Sequence, residues 1–239
     1  MDMDNRGQQK QHEEEQLQHR ERTGMEWLIA ITILGLLVGA FAFVSHLERK
    51  RKERLAALAK ELGLELNWQL PDAELARFNR FQIANKGRLP TSGTTIIADD
   101  GETRMAIFDY SYATGHGKHK RSHLFSIAMC SSSNLSIPNM TIEPETWQSK
   151  IAEFVGYRDI DIEEDLDFSK RFSIQGDDPI AIRNFLNPVR RAAITKFPNQ
   201  LLAGQRDTLL VIRKYGRLKP ENVREIMTEA LQVANAMRG

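Results

Sequence analysis

The densest group of reactive side chains lies in the segment TGHGKHKRSH, residues 114–123. Three imidazoles could bind zinc, and three cations could bind phosphate groups, lipid headgroups or an acidic protein. A phosphate-binding loop of the form G-x-x-x-x-G-K-[ST] is excluded, because Tyr112 stands at its first position and His119 at its last. Since the segment contains no carboxylate or thiolate, we interpret it as a basic hairpin tip. The predicted binding residues are His116, Lys118, His119, Lys120, Arg121 and His123.

The single cysteine, Cys130, is a second candidate for chemistry. A nucleophilic thiol needs a neighbouring base, and His123 precedes it by an odd number of residues in the same predicted strand. The two side chains should therefore point to opposite faces, and no histidine follows His123. We interpret Cys130 as a buried structural thiol, which is typical of free cysteines.

Carboxylates alternate along residues 159–165, at Asp159, Asp161, Glu163 and Asp165. A calcium-binding EF-hand loop would require glycine where Glu164 stands and glutamate where Lys170 stands. The alternation indicates an extended segment in which residues 160, 162 and 166 pack, while the acids face solvent or the basic tip. We therefore predict no catalytic residue, metal or cofactor.

One enzymatic alternative remains open at this point. His116, His119 and His123 could form the site of a membrane-tethered, metal-dependent hydrolase, with Asp109 or an acid from residues 159–165.

Two alternating strands, residues 103–112 and 124–130, should hold the basic tip between them. They place Phe108, Tyr110 and Tyr112 on one face and predict an antiparallel hairpin with one packed face. A strand at 94–98 precedes the hairpin. Further strands are predicted at 171–175, 201–203 and 208–213, the last two joined by a turn near Gly204, and helices at 72–78, 145–155, 178–186, 189–197 and 220–237. The fold class is α+β, an antiparallel sheet with packed helices.

Residues 27–44 contain no charged side chain and precede the block ERKRKER. As a helix they would measure about 27 Å, close to the roughly 30 Å of a bilayer's hydrocarbon core. A cleaved signal peptide is disfavoured, because a polar lead precedes the apolar stretch and a basic block follows it. We predict a transmembrane helix over residues 25–47.

Basic residues are in excess after this helix, at Arg49, Lys50, Arg51, Lys52 and Arg54. The positive-inside rule predicts an external N-terminus and a cytoplasmic C-terminal domain, and the five cations should contact anionic lipids of the plasma (inner) membrane. Gly35 and Gly39 form a GxxxG pair, which favours a homodimer in the bilayer, although glycine is also common in membrane helices.

The chain thus divides into a disordered tail over 1–24, the membrane helix over 25–47, a basic juxtamembrane helix over 48–63 and a cytoplasmic domain over 64–239. The domain could comprise two subdomains with a boundary near residues 135–160. One cysteine excludes a disulfide scaffold, and a net charge of +1 gives no reason to expect nucleic-acid binding.

The membrane helix followed by ERKRKERLAALAKELGL, then FDYSYATGHGKHKRSH and DFSKRFSIQGDD, resembles a family of uncharacterised bacterial single-pass membrane proteins. That resemblance, which covers nearly all residues after Met25, implies a cytoplasmic α+β domain but no activity, cofactor or catalytic residue. We expect a non-catalytic binding or scaffolding module whose partner is a membrane or cytoplasmic protein.

Overall fold

The computed structural model describes residues 4–147, 159–214 and 216–238. The described residues form two compact units, one that ends at Glu53 and one that begins at Arg54. The first unit consists of most of helix α1 (Asp4–Leu62). Residues 4–24 were expected to be disordered, but the structure shows residues 4–24 within this helix. Gln, Glu, Lys and Arg are good helix formers, and a helix that is already nucleated extends at little cost.

The apolar part of α1 is exposed. Among the described residues, one helical segment, Ile31–Leu62, is long and apolar enough to cross a membrane, and none of its most apolar window is buried. A core helix of a globular protein would bury such a window against its neighbours.

The second unit is built on an antiparallel sheet whose strands differ in length, and its helices and sheet confirm the predicted α+β class. Within the described residues the sheet has eight strands in the order β1-β2-β3-β4-β8-β7-β5-β6. Their bounds are β1 Glu65–Asn67, β2 Arg88–Asp99, β3 Arg104–Thr114, β4 Arg121–Ser131, β5 Ile137–Pro144, β6 Phe172–Gly176, β7 Gln200–Arg206 and β8 Thr208–Lys214.

Five helices follow α1 in the described chain. They are α2 Asp72–Phe78, α3 Leu166–Ser169, α4 Pro179–Phe185, α5 Pro188–Thr195 and α6 Pro220–Met237, with 3-10 turns at Gln82–Asn85 and Gly117–His119. Asp178 and Asn187 cap α4 and α5 with their side chains, and a proline follows each cap. The helix expected over 145–155 is not present at residues 145–147, which form a turn, and the rest of it lies outside the described residues.

Both faces of the β3–β4 hairpin are packed, rather than one. Phe108, Tyr110 and Tyr112 belong to the hydrophobic cluster that includes residues of α2 and the first 3-10 turn. The opposite face packs on α6 and on the end of α1. On this face the Cys130 thiol donates a hydrogen bond to the Ala230 carbonyl oxygen of α6. The alternation predicts which residues share a face but not that a distant helix covers the second face.

The end of α1 belongs to the folded unit. Leu55 is 0% exposed and Ala59 is 2% exposed, and Leu55 lies in the same core cluster as Cys130. The unit therefore begins at Arg54, ahead of the boundary expected at residue 64. One continuous sheet crosses residues 135–160, since β5 pairs with β7 and β7 with β8. The described part of this region forms one compact unit rather than two subdomains.

The turn expected near Gly204 is wrong. Gly204 lies inside β7 opposite Leu209, and the chain turns at Asp207 instead. A Cβ at position 204 would clash with the side chain of Ile137 on the neighbouring strand β5. The glycine thus serves close packing between strands, a contact that does not follow from local sequence. Strand β5 itself is missing from the sequence prediction.

Candidate functional site

The predicted basic residues lie at the tip of the β3–β4 hairpin. A 3-10 turn at Gly117–His119 closes the hairpin, and the His119 amide donates to the His116 carbonyl oxygen at 3.0 Å. Gly115 has φ +75°, and a Cβ there would clash with the His119 carbonyl. The side chains of residues 116–121 are exposed. Among the described residues, no ion pair or hydrogen bond involves the side chains of Lys118, Lys120 and Arg121.

The three histidines do not gather around a common point. His123 is hydrogen-bonded to Thr114 Oγ1 at 2.8 Å, and its ring stacks on Tyr112 with the ring centroids 4.8 Å apart. In the part of the chain that the structure describes, no group of three or more His, Cys, Asp or Glu residues could hold a metal ion. Asp109 lies on the opposite face of the sheet from Tyr112 and His123, since its position in β3 differs by an odd number from 112. No observation therefore favours the hydrolase alternative.

The acidic segment serves the fold in two places. Asp159 accepts a hydrogen bond from the Ile174 amide at 2.8 Å, and Asp165 caps α3 while pairing with Arg191 at 2.9 Å. Hydrogen bonds from Arg191 and the Phe168 amide lower the pKa of Asp165. Ile160 and Ile162 are buried as expected, but Leu166 is 62% exposed, and Phe168 on α3 is buried in the core.

The Cys130 thiol lies fully buried between the sheet and α6. Burial raises its pKa to about 12. A thiol this far from ionisation is a poor nucleophile at neutral pH.

Two of the cations after the apolar stretch pair with the acids Glu48 and Glu53 of the same helix. Arg51 pairs with Glu48 at 2.8 Å, and Arg49 lies 3.8 Å from Glu53. Lys50 and Arg54 are exposed. A Cβ at Gly35 or at Gly39 would meet nothing within 4 Å, so space is open at both positions.

A row of polar side chains that the sequence does not predict crosses the sheet on the face covered by α6. Antiparallel pairing places Asp109 opposite Ser126, Ser126 opposite Arg213, and Arg213 opposite Gln200. Directly paired residues point to the same face. These four residues therefore form one line over β3, β4, β8 and β7, on the same face as the apolar side chains of Ile107, Ala128, Val211 and Leu202.

Two members of this row hold the loop between β8 and α6. Asp109 accepts a hydrogen bond from the Leu218 amide, and the Ser126 hydroxyl donates to the Gly216 carbonyl oxygen at 3.0 Å. Asp109 and Ser126 are 6% and 7% exposed. The row thus fixes where α6 begins.

The other two members contact acidic residues in the middle of α6. The Arg213 guanidinium donates to Glu225 at 3.0 Å and also to Glu229, and Gln200 Nε2 donates to Glu229. Burial alone would lower the pKa of Arg213, but its bonds to the two carboxylates outweigh burial and raise that pKa. The bond from Arg213 in turn lowers the pKa of Glu225.

A cleft of about 470 Å³ opens beside this row. Its floor contains Ser126, Arg213 and Gln200, and its rim is formed by the loops before β7 and before α6, which contribute Lys196 and Lys219. The alternation in the sequence places Asp109 and Ser126 on the face opposite the aromatic residues, so it predicts that these two members of the row share a face. The other half depends on β8 pairing with β4, which are 77 or more residues apart at each register position.

Comparison of the chain with protein-family models, with curated proteins and with solved structures finds no match in any of the three. Function is therefore inferred from the residues and their geometry.

Proposed function

We propose that this protein is a single-pass protein of the bacterial inner (plasma) membrane, with an external N-terminus and a cytoplasmic α+β domain that acts as a binding or scaffolding module. The observation that carries the proposal is the exposed apolar part of α1. Side chains such as Leu36 and Phe41 are 70% and 76% exposed, and a bilayer would remove them from water.

The distribution of charge supports the orientation. Residues 49–54 hold five cations and one acid, whereas only two basic residues occur between residues 11 and 26. Cations near the ends of a membrane helix are retained on the cytoplasmic side. The resemblance to bacterial single-pass membrane proteins with a cytoplasmic domain agrees with this orientation.

Labelling of single introduced cysteines in intact cells tests the proposal. The variants are Gln11→Cys in the N-terminal part and Asn235→Cys on the exposed side of α6. Cys130 contributes little background because it is buried and its pKa is raised to about 12. A membrane-impermeant maleimide should modify residue 11 in intact cells and residue 235 only after lysis.

The reverse labelling pattern would refute the orientation. A signal sequence is distinguished by an epitope placed at the N-terminus. The epitope should remain on the membrane-bound chain, whereas a cleaved leader would leave a shorter chain without it.

The basic tip is the binding surface we propose for an acidic partner protein. Its three cations are exposed, and a glycine-dependent turn holds them together at the end of the β3–β4 hairpin. A charged surface of this kind increases the association rate of an oppositely charged partner and makes binding dependent on salt.

Photo-crosslinking in cells from residue 116 tests this surface. A discrete crosslinked species is expected, and the double variant Lys118→Gln/Lys120→Gln should abolish it. The control variant Lys60→Gln/Lys170→Gln removes the same charge from two other exposed positions and should leave the species unchanged. A species that persists in the first variant would refute a role for the tip.

A further inference from the structure

The cleft beside the polar row carries an excess of positive charge. Its lining includes the cations Lys196, Arg213, Arg217 and Lys219 and the two carboxylates Glu225 and Glu229, a net charge of +2. Arg213 is already paired with both carboxylates. The excess charge therefore comes from the rim, where Lys196, Arg217 and Lys219 are exposed.

Two of the rim cations are available to a ligand. In the described parts of the chain, no ion pair or hydrogen bond involves the side chains of Lys196 and Lys219. Lys219 is also the residue that precedes the first turn of α6, an 18-residue helix with proline at its first position and no side-chain cap. The start of such a helix carries partial positive charge. Pro220 has no amide proton and the Asn222 amide donates to the Lys219 carbonyl oxygen, so α6 contributes this partial charge rather than a row of free amides.

The rest of the lining combines neutral polar side chains with Phe197, Pro198, Gly216 and Ile226. Ser126, Asn199, Gln200 and Asn222 contribute hydroxyl and amide groups to the cleft. Ser126 uses its proton in the bond to Gly216, so its oxygen can still accept a hydrogen bond. Gln200 is 6% exposed, and within the described structure its Oε1 atom has no hydrogen-bond partner. The Gln200 Oε1 atom would gain a hydrogen bond if a ligand placed a donor beside it or if the side chain rotated towards such a donor.

We propose that this cleft binds a small phosphomonoester of a polyol, with its phosphate between Lys196, Lys219 and the start of α6. A phosphomonoester carries nearly two negative charges at neutral pH, which matches the net charge of the cleft. Lysine ammonium groups and helix N-termini both bind phosphate. The volume of about 470 Å³ exceeds what a phosphate ion fills. The remaining space accommodates the polyol, whose hydroxyl groups would contact Ser126, Asn199 and Asn222.

Calorimetric titration of the full-length protein in neutral phosphatidylcholine nanodiscs with glycerol 3-phosphate tests the site. Saturable binding is expected, tighter than that of inorganic phosphate, with no binding of glycerol. The variant Lys196→Gln/Lys219→Gln should weaken binding at least about tenfold, because each lysine is expected to make a charge-assisted hydrogen bond. The control Lys60→Gln/Lys170→Gln removes the same charge from exposed positions outside the cleft and should bind as the parent does.

Three results would overturn the proposal: no saturable binding, equal weakening in both double variants, or equal affinity for inorganic phosphate and glycerol 3-phosphate. An unchanged labelling rate of Cys130 verifies that each variant remains folded. A second preparation with phosphatidic acid in the nanodisc distinguishes the source of the phosphomonoester. If added glycerol 3-phosphate no longer binds in the nanodiscs that contain phosphatidic acid, the lipid headgroup occupies the site. If it still binds, the ligand is a soluble molecule. The site stands independently of the proposed role of the hairpin tip.

Discussion

Replacing Leu55 by alanine tests whether the end of α1 is part of the folded unit. Leu55 is 0% exposed and lies in the core cluster with Ile107 and Cys130. Truncation of a fully buried leucine to alanine removes apolar contacts and leaves a cavity, at a cost of about 2–5 kcal/mol in the free energy of unfolding. For a folded unit of this size, 1 kcal/mol shifts Tm by about 2–4 °C. Leu55→Ala should therefore lower Tm by roughly 4–20 °C.

The single cysteine provides a readout that is confined to the folded unit. Cys130 is 0% exposed, so its thiol reacts with a maleimide only when the core around it opens. Labelling of the full-length protein in detergent is measured as a function of temperature, and unfolding of the apolar part of α1 does not contribute to the signal.

Leu47→Ala is the matched control. It makes the same chemical change on the same helix, but Leu47 is 50% exposed and belongs to the other compact unit. Its labelling profile should follow that of the parent. If Leu55→Ala and Leu47→Ala give the same profile, the domain does not begin at Arg54, and packing of Leu55 on the core does not contribute to the free energy of unfolding.

Three further substitutions test the sheet and its loops. Asp109→Asn removes the carboxylate that accepts the amide bond from the loop before α6, and it should cost about 1–3 kcal/mol, measured as a lower urea midpoint. Gly204→Ala should destabilise the unit by about 1–3 kcal/mol through the clash with Ile137, and a parent-like midpoint would contradict the observed β5–β7 packing. The pKa of Asp165 is lowered by Arg191, so its stabilisation is present above the ordinary carboxyl pKa and is lost as pH falls through the lowered value. Asp165→Asn should accordingly destabilise the protein at neutral pH and converge with the parent as the pH falls below the lowered pKa of Asp165, whereas a constant difference would assign the effect to packing.

Local patterns in the sequence predict most of the elements of the fold. Helix α6 begins at Pro220 and ends at Met237, the bounds that the sequence predicts. The β3–β4 hairpin has the predicted pairing because alternation and the glycine-rich connection both act over a few residues. Such signals are intrinsic to the segment that carries them.

Features that depend on distant contacts do not follow from these patterns. From the sequence Gly204 is predicted to be a turn residue, but in the structure it lies within β7 because the Ile137 side chain leaves no room for a Cβ atom. Leu166 resembles a core residue, but the short helix α3 turns Phe168 inward instead. Residues 55–62 have the composition of a juxtamembrane helix, and only the packing of Leu55 on the sheet assigns them to the domain.

The sequence by itself determines the apolar helix near the N-terminus, the charges that follow it, the α+β class and the basic hairpin tip. Each of these depends on composition or on spacing within one segment, where propensity and hydrophobic periodicity act directly. Tertiary structure alone decides the polar row of Asp109, Ser126, Arg213 and Gln200 and the cleft beside it. These residues come together because β8 adds to β4 across a long stretch of chain, and α6 then covers the face on which they lie.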